Sequence, residues 1–282
     1  MPELDNSQKT KDILRAHNMS AKKKYGQNFL IDRSILRGIV SAAEISKEDN
    51  VLEIGPGLGT LTQYLCEAAG SVIAIEIDKD LIPVLEETLS VYRNVQVINE
   101  DVLKIDVKNL FNGEPFKVVA NLPYYITTPI VMKLLEQEVP YESITIMVQK
   151  EVAERMQAVP GSKDYGALSL AVQYYTDAKI CEYVSPDCFI PQPKVGSAVI
   201  NLKAHKDSPV FVNDTKILFK IIRAAFNQRR KTLINSIKNA PDLNYTTDDV
   251  LSALSKMNKS EKIRGEELSL QEFAELTNLL TS

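Results

Sequence analysis

Four consecutive residues, Asn121, Leu122, Pro123 and Tyr124, close the apolar run Val118–Ala120 and bring together groups suited to alkylating an amine on a flat ring. The N6 amine of adenine is a poor nucleophile because its lone pair is delocalised into the ring. A site must therefore hold both amine hydrogens and draw that lone pair out of the plane. The Asn121 side-chain carbonyl is one acceptor. A backbone carbonyl beside Pro123, which has no N–H of its own to tie up, is the other. Tyr124 adds a ring face. Stacking of a base on an aromatic contributes about 1–3 kcal/mol, enough to hold a base that has left its stack. Asn-x-Pro is equally a common strand end and turn, and Tyr124 equally suits an ordinary core. The surrounding elements decide between these readings.

Upstream, Val51-Leu-Glu53-Ile-Gly55-Pro-Gly57-Leu-Gly59-Thr60 is an apolar run followed by three alternate glycines and a helix-like segment to Ala69. This reads as strand, tight turn and helix, with Thr60 as N-cap. Glycines let the backbone approach a ligand closely at the carboxyl end of a strand. Val72 to Asp78 is the next strand and carries Glu76, a carboxylate suited to two ribose hydroxyls. Both Glu53 and Glu76 also fit the plainer role of a solvent-exposed acid at a strand end. A third strand, Val95–Ile98, leads to Asp101, which faces the same crevice if the sheet is doubly wound. A dinucleotide fingerprint is G-x-G-x-x-G, whereas here the third glycine falls one residue early, at Gly59. The spacing argues against a nicotinamide oxidoreductase. It resembles motif I of the S-adenosylmethionine-dependent methyltransferases, where no pyrophosphate needs a cradle.

With these motifs in order, the chain resembles the KsgA/RsmA family of small-subunit ribosomal RNA adenine dimethyltransferases, related to the Erm methyltransferases. The likeness covers nearly the whole length. It rests on Lys24-Tyr-Gly-Gln-Asn28-Phe-Leu30, Glu53 to Gly59, Glu76, Asp101 and Asn121 to Tyr124, then Gln149 to Arg155 and Phe189-Ile-Pro-Gln-Pro-Lys-Val-Gly-Ser197. The resemblance implies that the Gly-Gln-Asn-Phe-Leu segment closes over S-adenosylmethionine, with contacts from Asn28 and Leu30. It implies that Phe189 supplies a second aromatic to the target base. The implied activity is dimethylation of N6 on two adjacent adenosines in a 3′-terminal hairpin loop of 16S rRNA, within the small ribosomal subunit and during its biogenesis. A loop target is physically sensible, since unstacked loop bases are cheaper to extrude than paired ones.

Composition permits this reading. The net charge of −4 is unusual for an RNA enzyme, but affinity follows local basic surface rather than the total. Lys22, Lys23 and Lys24 precede the Gly-Gln-Asn-Phe-Leu segment, and residues 213–240 carry Lys216, Lys220, Arg223, Arg229, Arg230, Lys231 and Lys238 against the single acid Asp214. Apolar residues recur there at helical spacing, which predicts amphipathic helices with basic faces. Such faces are solvated surface in most proteins; beside a base-modifying site, Arg223, Arg229, Arg230 and Lys231 read as a phosphate track. No run approaches the ~18 apolar residues of a membrane helix, and the first residues lack the apolar stretch of a secretory signal, which points to the cytoplasm. Cys66, Cys181 and Cys188 form no C-x-x-C pair, His17 and His205 stand far apart, and no metal site is expected.

These elements predict an α/β, Rossmann-like methyltransferase domain over residues 1–205, with residues 1–50 as a basic lead-in and cofactor-closing segment. A helical RNA-binding domain is expected over 206–282. Arg33–Ala43 reads as helix, Phe116–Ala120, Ser143–Val148, Ala178–Val184 and Ser197–Leu202 as strands, and Ser269 as a helix cap. Periodicity leaves Ala167–Tyr175 open between helix and strand. Three other functions share features with this one. An Erm-like enzyme acting on 23S rRNA has nearly every motif, a DNA adenine methyltransferase fits the chemistry, and a non-catalytic assembly factor fits the fold.

Overall fold

A computed structural model describes residues 4, 7–17, 19, 22, 25–137, 139–228 and 230–282. Lys23, Lys24 and Arg229, all expected to meet RNA, lie outside the described residues. The chain divides into two compact units, one of residues 1–153 and 178–204, the other of 154–177 and 205–282.

The first unit contains, in chain order, α1 (Ser7–Ala16), β1 (Phe29–Leu30), α2 (Arg33–Ala42), β2 (Asn50–Ile54), α3 (Thr60–Ala68) and β3 (Ser71–Glu76). It continues through α4 (Ile82–Thr88), β4 (Val95–Asn99), β5 (Phe116–Asn121), α5 (Thr127–Glu136), β6 (Tyr141–Gln149) and the start of α6 (Lys150–Met156). After α7 (Ala167–Tyr175), the strands β7 (Thr176–Val184), β8 (Phe189–Ile190) and β9 (Ser197–Ala204) follow. Seven strands form one sheet in the order β4-β3-β2-β5-β6-β9-β7. The strands from β4 to β6 are parallel, and β9 runs antiparallel to β6.

Parallel strands covered on both sides must be apolar in succession rather than in alternation. Accordingly Val51, Leu52 and Ile54 of β2 and Val118, Val119 and Ala120 of β5 are all buried. Helix α2 starts where Asp32 accepts from the Ser34 and Ile35 amides, and it buries Ile35, Leu36 and Ile39. The expected strands appear within a few residues of their predicted ends.

Two expectations need correction. Helix α3 is capped by Gly59 in the left-handed region at φ 87°, with no side-chain cap, and Thr60 is the first helical residue. Leaving the strand this sharply requires a positive φ that a residue without Cβ adopts at little cost. The unit boundary does fall at His205, but residues 154–177 also join the helical unit. The reason is packing. Tyr165, 0% exposed, donates to Leu268 O at 2.9 Å and meets the Phe226 ring edge-on at 5.8 Å. Tyr174 and Tyr175 both lie against Phe219 at 5.3 Å. Residues 167–175 are therefore a helix whose buried side chains belong to a helical core. That unit is completed by α8 (Thr215–Asn227), α9 (Leu233–Lys238), α10 (Thr247–Lys256) and α11 (Leu270–Leu280). Reciprocal bonds between Ser269 and Glu272 start α11, as the sequence predicts.

Candidate cofactor and base site

The carboxyl ends of β2, β3, β4 and β5 open into one cleft of about 1110 Å³, continuous with solvent. One end is built by the glycine turn. Gly55 and Gly57 have φ of 72° and 62°, and a Cβ on Gly55 would meet no atom within 4 Å, so its missing side chain faces open cradle. A Cβ on Gly57 would lie 3.4 Å from the Phe29 ring, which makes this glycine the place where the amino-terminal segment closes on the turn.

Two buried carboxyls sit behind the turn. Glu76, 4% exposed, accepts from Gly57 N at 3.1 Å and from Asp78 N at 2.8 Å. Burial holds its pKa above the usual carboxylate value, against the pull of those amides. Glu53 is 1% exposed, and its Oε2 finds no hydrogen-bond partner among the described residues. Burial pushes Glu53 up to about 8, against the pull of the adjacent Thr62 hydroxyl and with a smaller push from the Glu76 charge. Neither is the exposed strand-end acid that sequence alone also allowed. An orphaned polar atom this deep is costly and is the kind of group a bound ligand satisfies. Asp101 lies at the cleft wall, where its Oδ1 accepts from Leu103 N at 2.9 Å.

The other end holds the residues expected to meet the target base. Asn121 ends β5, and its Nδ2 donates to Asn28 O at 3.2 Å. The amide nitrogen is thereby committed, and Oδ1 is the amide atom left to accept from a ligand. Pro123 O accepts from Ile126 N and from Thr127 Oγ1, each at 3.2 Å, so it closes its own turn. Tyr124 is half-buried; its hydroxyl pairs with Ser197 Oγ at 2.9 Å, and burial holds its phenol above the ordinary value. Phe189 enters on β8, which pairs antiparallel with β1 so that Leu30 opposes Phe189 and Phe29 opposes Ile190. One short ladder thus couples the segment expected to cover the cofactor to the segment expected to carry the second aromatic.

The structure brings Asn28, Leu30, Glu53, Gly55, Gly57 and Glu76 to the wall of this single cleft. Asp101, Asn121, Leu122, Pro123, Tyr124 and Phe189 line it as well. Sequence reasoning missed Tyr125 and Ile77, which also line it and are 58% and 46% exposed. The signal for Ile77 was present, as an apolar residue directly after a strand-terminal acid. Of the residues expected to meet RNA, Lys22 stands elsewhere: its Nζ donates to Asp78 Oδ1 at 2.7 Å and pairs with Asp80. Its ammonium is engaged by two acids within the protein. Arg223, Arg230 and Lys231 are exposed in the helical unit.

Among the described residues no helix is long and apolar enough to cross a membrane, and no cluster of three His, Cys, Asp or Glu could hold a metal. The open cradle at Gly55, the orphaned Glu53 oxygen and the acids at successive strand ends fit S-adenosylmethionine. Sheet order and site together define a class I S-adenosylmethionine-dependent methyltransferase with an attached helical unit.

The ribosomal RNA adenine dimethylase model matches residues 18–280. The chain is 55% identical over 285 residues, 99% of its length and 98% of the relative's, to ribosomal RNA small subunit methyltransferase A of Lachnoclostridium phytofermentans. It is 49% identical to the protein of that name from Clostridioides difficile, over 100% of this chain and 98% of the relative. Among solved structures, a dimethyladenosine transferase from Plasmodium falciparum superposes with a TM-score of 0.73 at 30% identity, covering 88% of this chain and 95% of that one. The 23S rRNA methyltransferase ErmE superposes with a TM-score of 0.68 at 28% identity, covering 90% and 100%. The chain belongs to the ribosomal RNA adenine dimethylase family.

Proposed function

We propose that this protein transfers methyl groups from S-adenosylmethionine to N6 of two adjacent adenosines in the 3′-terminal hairpin loop of 16S rRNA, twice each, on the small ribosomal subunit as it is assembled in the cytoplasm. The observation that carries the chemistry is the Asn121 amide, whose nitrogen is held by Asn28 O in the cleft that Tyr124 and Phe189 share with the glycine turn.

When bound, S-adenosylmethionine supplies a methyl group already activated on a sulfonium. The protein's task is to align that carbon with the amine nitrogen and exclude water. Alignment of this kind supplies roughly 7–11 kcal/mol of barrier reduction. Glu76 would hold the ribose hydroxyls, the open space at Gly55 would admit the amino-acid end, and Asp101 would hold the adenine amine of the cofactor. The target adenine lies between Tyr124 and Phe189. Asn121 Oδ1 accepts one amine hydrogen. Pro123 O is occupied, so Leu122 O is assigned the second. Both acceptors stabilise the positive charge developing on nitrogen. Methylation of the amine would leave an ammonium acidic enough to release its proton to water, so no strong base is required of the protein. In the helical unit, Arg223, Arg230 and Lys231 contact phosphates.

Support for the small-subunit target over the 23S target comes from 55% identity to a small-subunit methyltransferase across 99% of the chain, against 28% to ErmE. The test is transfer of labelled methyl to small and large subunits purified from cells lacking the modification, followed by nucleoside analysis. Dimethyladenosine in small-subunit RNA alone is the expected result; label in large-subunit RNA, or in neither, would overturn the proposal.

A further inference from the structure

The segment Tyr25–Leu30 forms one wall of the cleft, and its two ends are fastened by different means. At its carboxyl end the attachment is backbone. The β1–β8 ladder is extended by Ile31 N donating to Cys188 O at 2.9 Å. At its amino end the attachment is a side-chain network centred on Asp78. Asp78 is 1% exposed. Its Oδ1 accepts from Lys22 Nζ at 2.7 Å and from Asp80 N at 3.2 Å. Its Oδ2 accepts from Gln27 Nε2 at 3.1 Å. The ring closes through Gln27 Oε1, which accepts from Lys22 N at 2.8 Å. On the other side, Asp78 N donates to Glu76 Oε1 at 2.8 Å.

Asp78 thus holds, at once, the carboxylate suited to a ribose and the segment that walls the same cleft. A buried carboxylate whose oxygens accept from three donors is a rigid hub, and charge-assisted bonds are about twice as strong as neutral ones. We infer that Asp78 is a positioning residue for S-adenosylmethionine: with Lys22 and Gln27 it latches Tyr25–Leu30 over the bound cofactor and sets the residence time of the cofactor without touching the reacting atoms. The inference rests on the cofactor reading of the cleft and is independent of which RNA is methylated.

The test is cofactor binding and release measured on the full chain without RNA, for wild type, Asp78→Asn, Lys22→Gln and the double variant. Asp78→Asn removes the charge and one acceptor. Lys22→Gln alters a side chain that is 26% exposed, so it folds even if the buried substitution does not. Each single variant should weaken S-adenosylmethionine binding roughly tenfold, about 1.4 kcal/mol, through faster release. The turnover number at saturating cofactor should stay within about twofold of wild type, a split that general damage to the fold would not produce. The double variant should be little worse than either single one, because both break the same network. Unchanged affinity in Lys22→Gln, or fully additive losses in the double variant, would overturn the latch alone. Wild-type protein without affinity for S-adenosylmethionine would overturn the cofactor reading with it.

Discussion

Replacing Asn121 by alanine tests the central chemical claim, because the side chain makes one structural contact and is proposed to make one catalytic contact. The structural one is the bond from Nδ2 to Asn28 O at 3.2 Å, long for an N–H···O bond. Its loss should cost about 0.5–1 kcal/mol of stability, or a fall of only a few degrees in melting midpoint for a chain of this size. The catalytic contact is Oδ1 on the amine hydrogen. Removing one preorganised electrostatic partner of a transition state costs on the order of 10²–10³ in kcat. Asn121→Ala should therefore lower single-turnover methyl transfer by roughly two to three orders of magnitude, while cofactor affinity from calorimetry stays within about threefold. Asn121→Asp keeps an acceptor and loses the bond to Asn28 O, so its rate should fall between the two. An alanine variant retaining more than a tenth of the wild-type rate at saturating cofactor would refute the acceptor role.

Three further outcomes are expected. Glu53, pushed up to about 8 from an ordinary value of 4.5 by burial, keeps its proton in the folded state through the window between those values while the unfolded chain loses it. Stability of the ligand-free protein should decline as pH rises through that window and level off above it. Glu53→Gln removes the decline, so thermal melts of the two proteins should diverge from pH 5 to 8 with the variant the more stable at the upper end, by up to a few kcal/mol; parallel curves would show the carboxyl to be ionised. Gly55→Trp should abolish S-adenosylmethionine binding in calorimetry by filling the open space at its φ of 72°. Gly55→Ala should show only the roughly 1–2 kcal/mol strain of a left-handed residue, and comparable affinity in both variants would remove Gly55 from the site. Changing Arg230 and Lys231 together to glutamine should weaken RNA binding and reduce its logarithmic salt slope by about 1.4, at roughly 0.7 per single-strand phosphate; an unchanged slope would take these two off the phosphate track.

The sequence by itself determined the parts that depend on local spacing. Three glycines at alternate positions after an apolar run specify a strand, a tight turn and a helix, and the early third glycine argues against a dinucleotide site. Acids near the ends of successive strands had to converge, since parallel strands place their carboxyl ends on one edge. The Asn-x-Pro-Tyr segment located the base side because its chemistry is written in four adjacent residues. Capping signals were equally local, as at Ser269. Only tertiary structure decided what depends on residues far apart in the chain. Periodicity could not choose helix or strand for residues 167–175, because Phe219, which Tyr174 and Tyr175 pack against, lies more than forty residues downstream. The pairing of Lys22 with Asp78 and Asp80, 56 and 58 residues away, was equally invisible to local reading. Thr60 read as a cap because it carries the preferred side chain, whereas the sharp turn required the glycine before it. The choice between exposed acids and buried ones at Glu53 and Glu76 was likewise tertiary, since burial is set by the neighbouring strands and helices and not by the residue's own type.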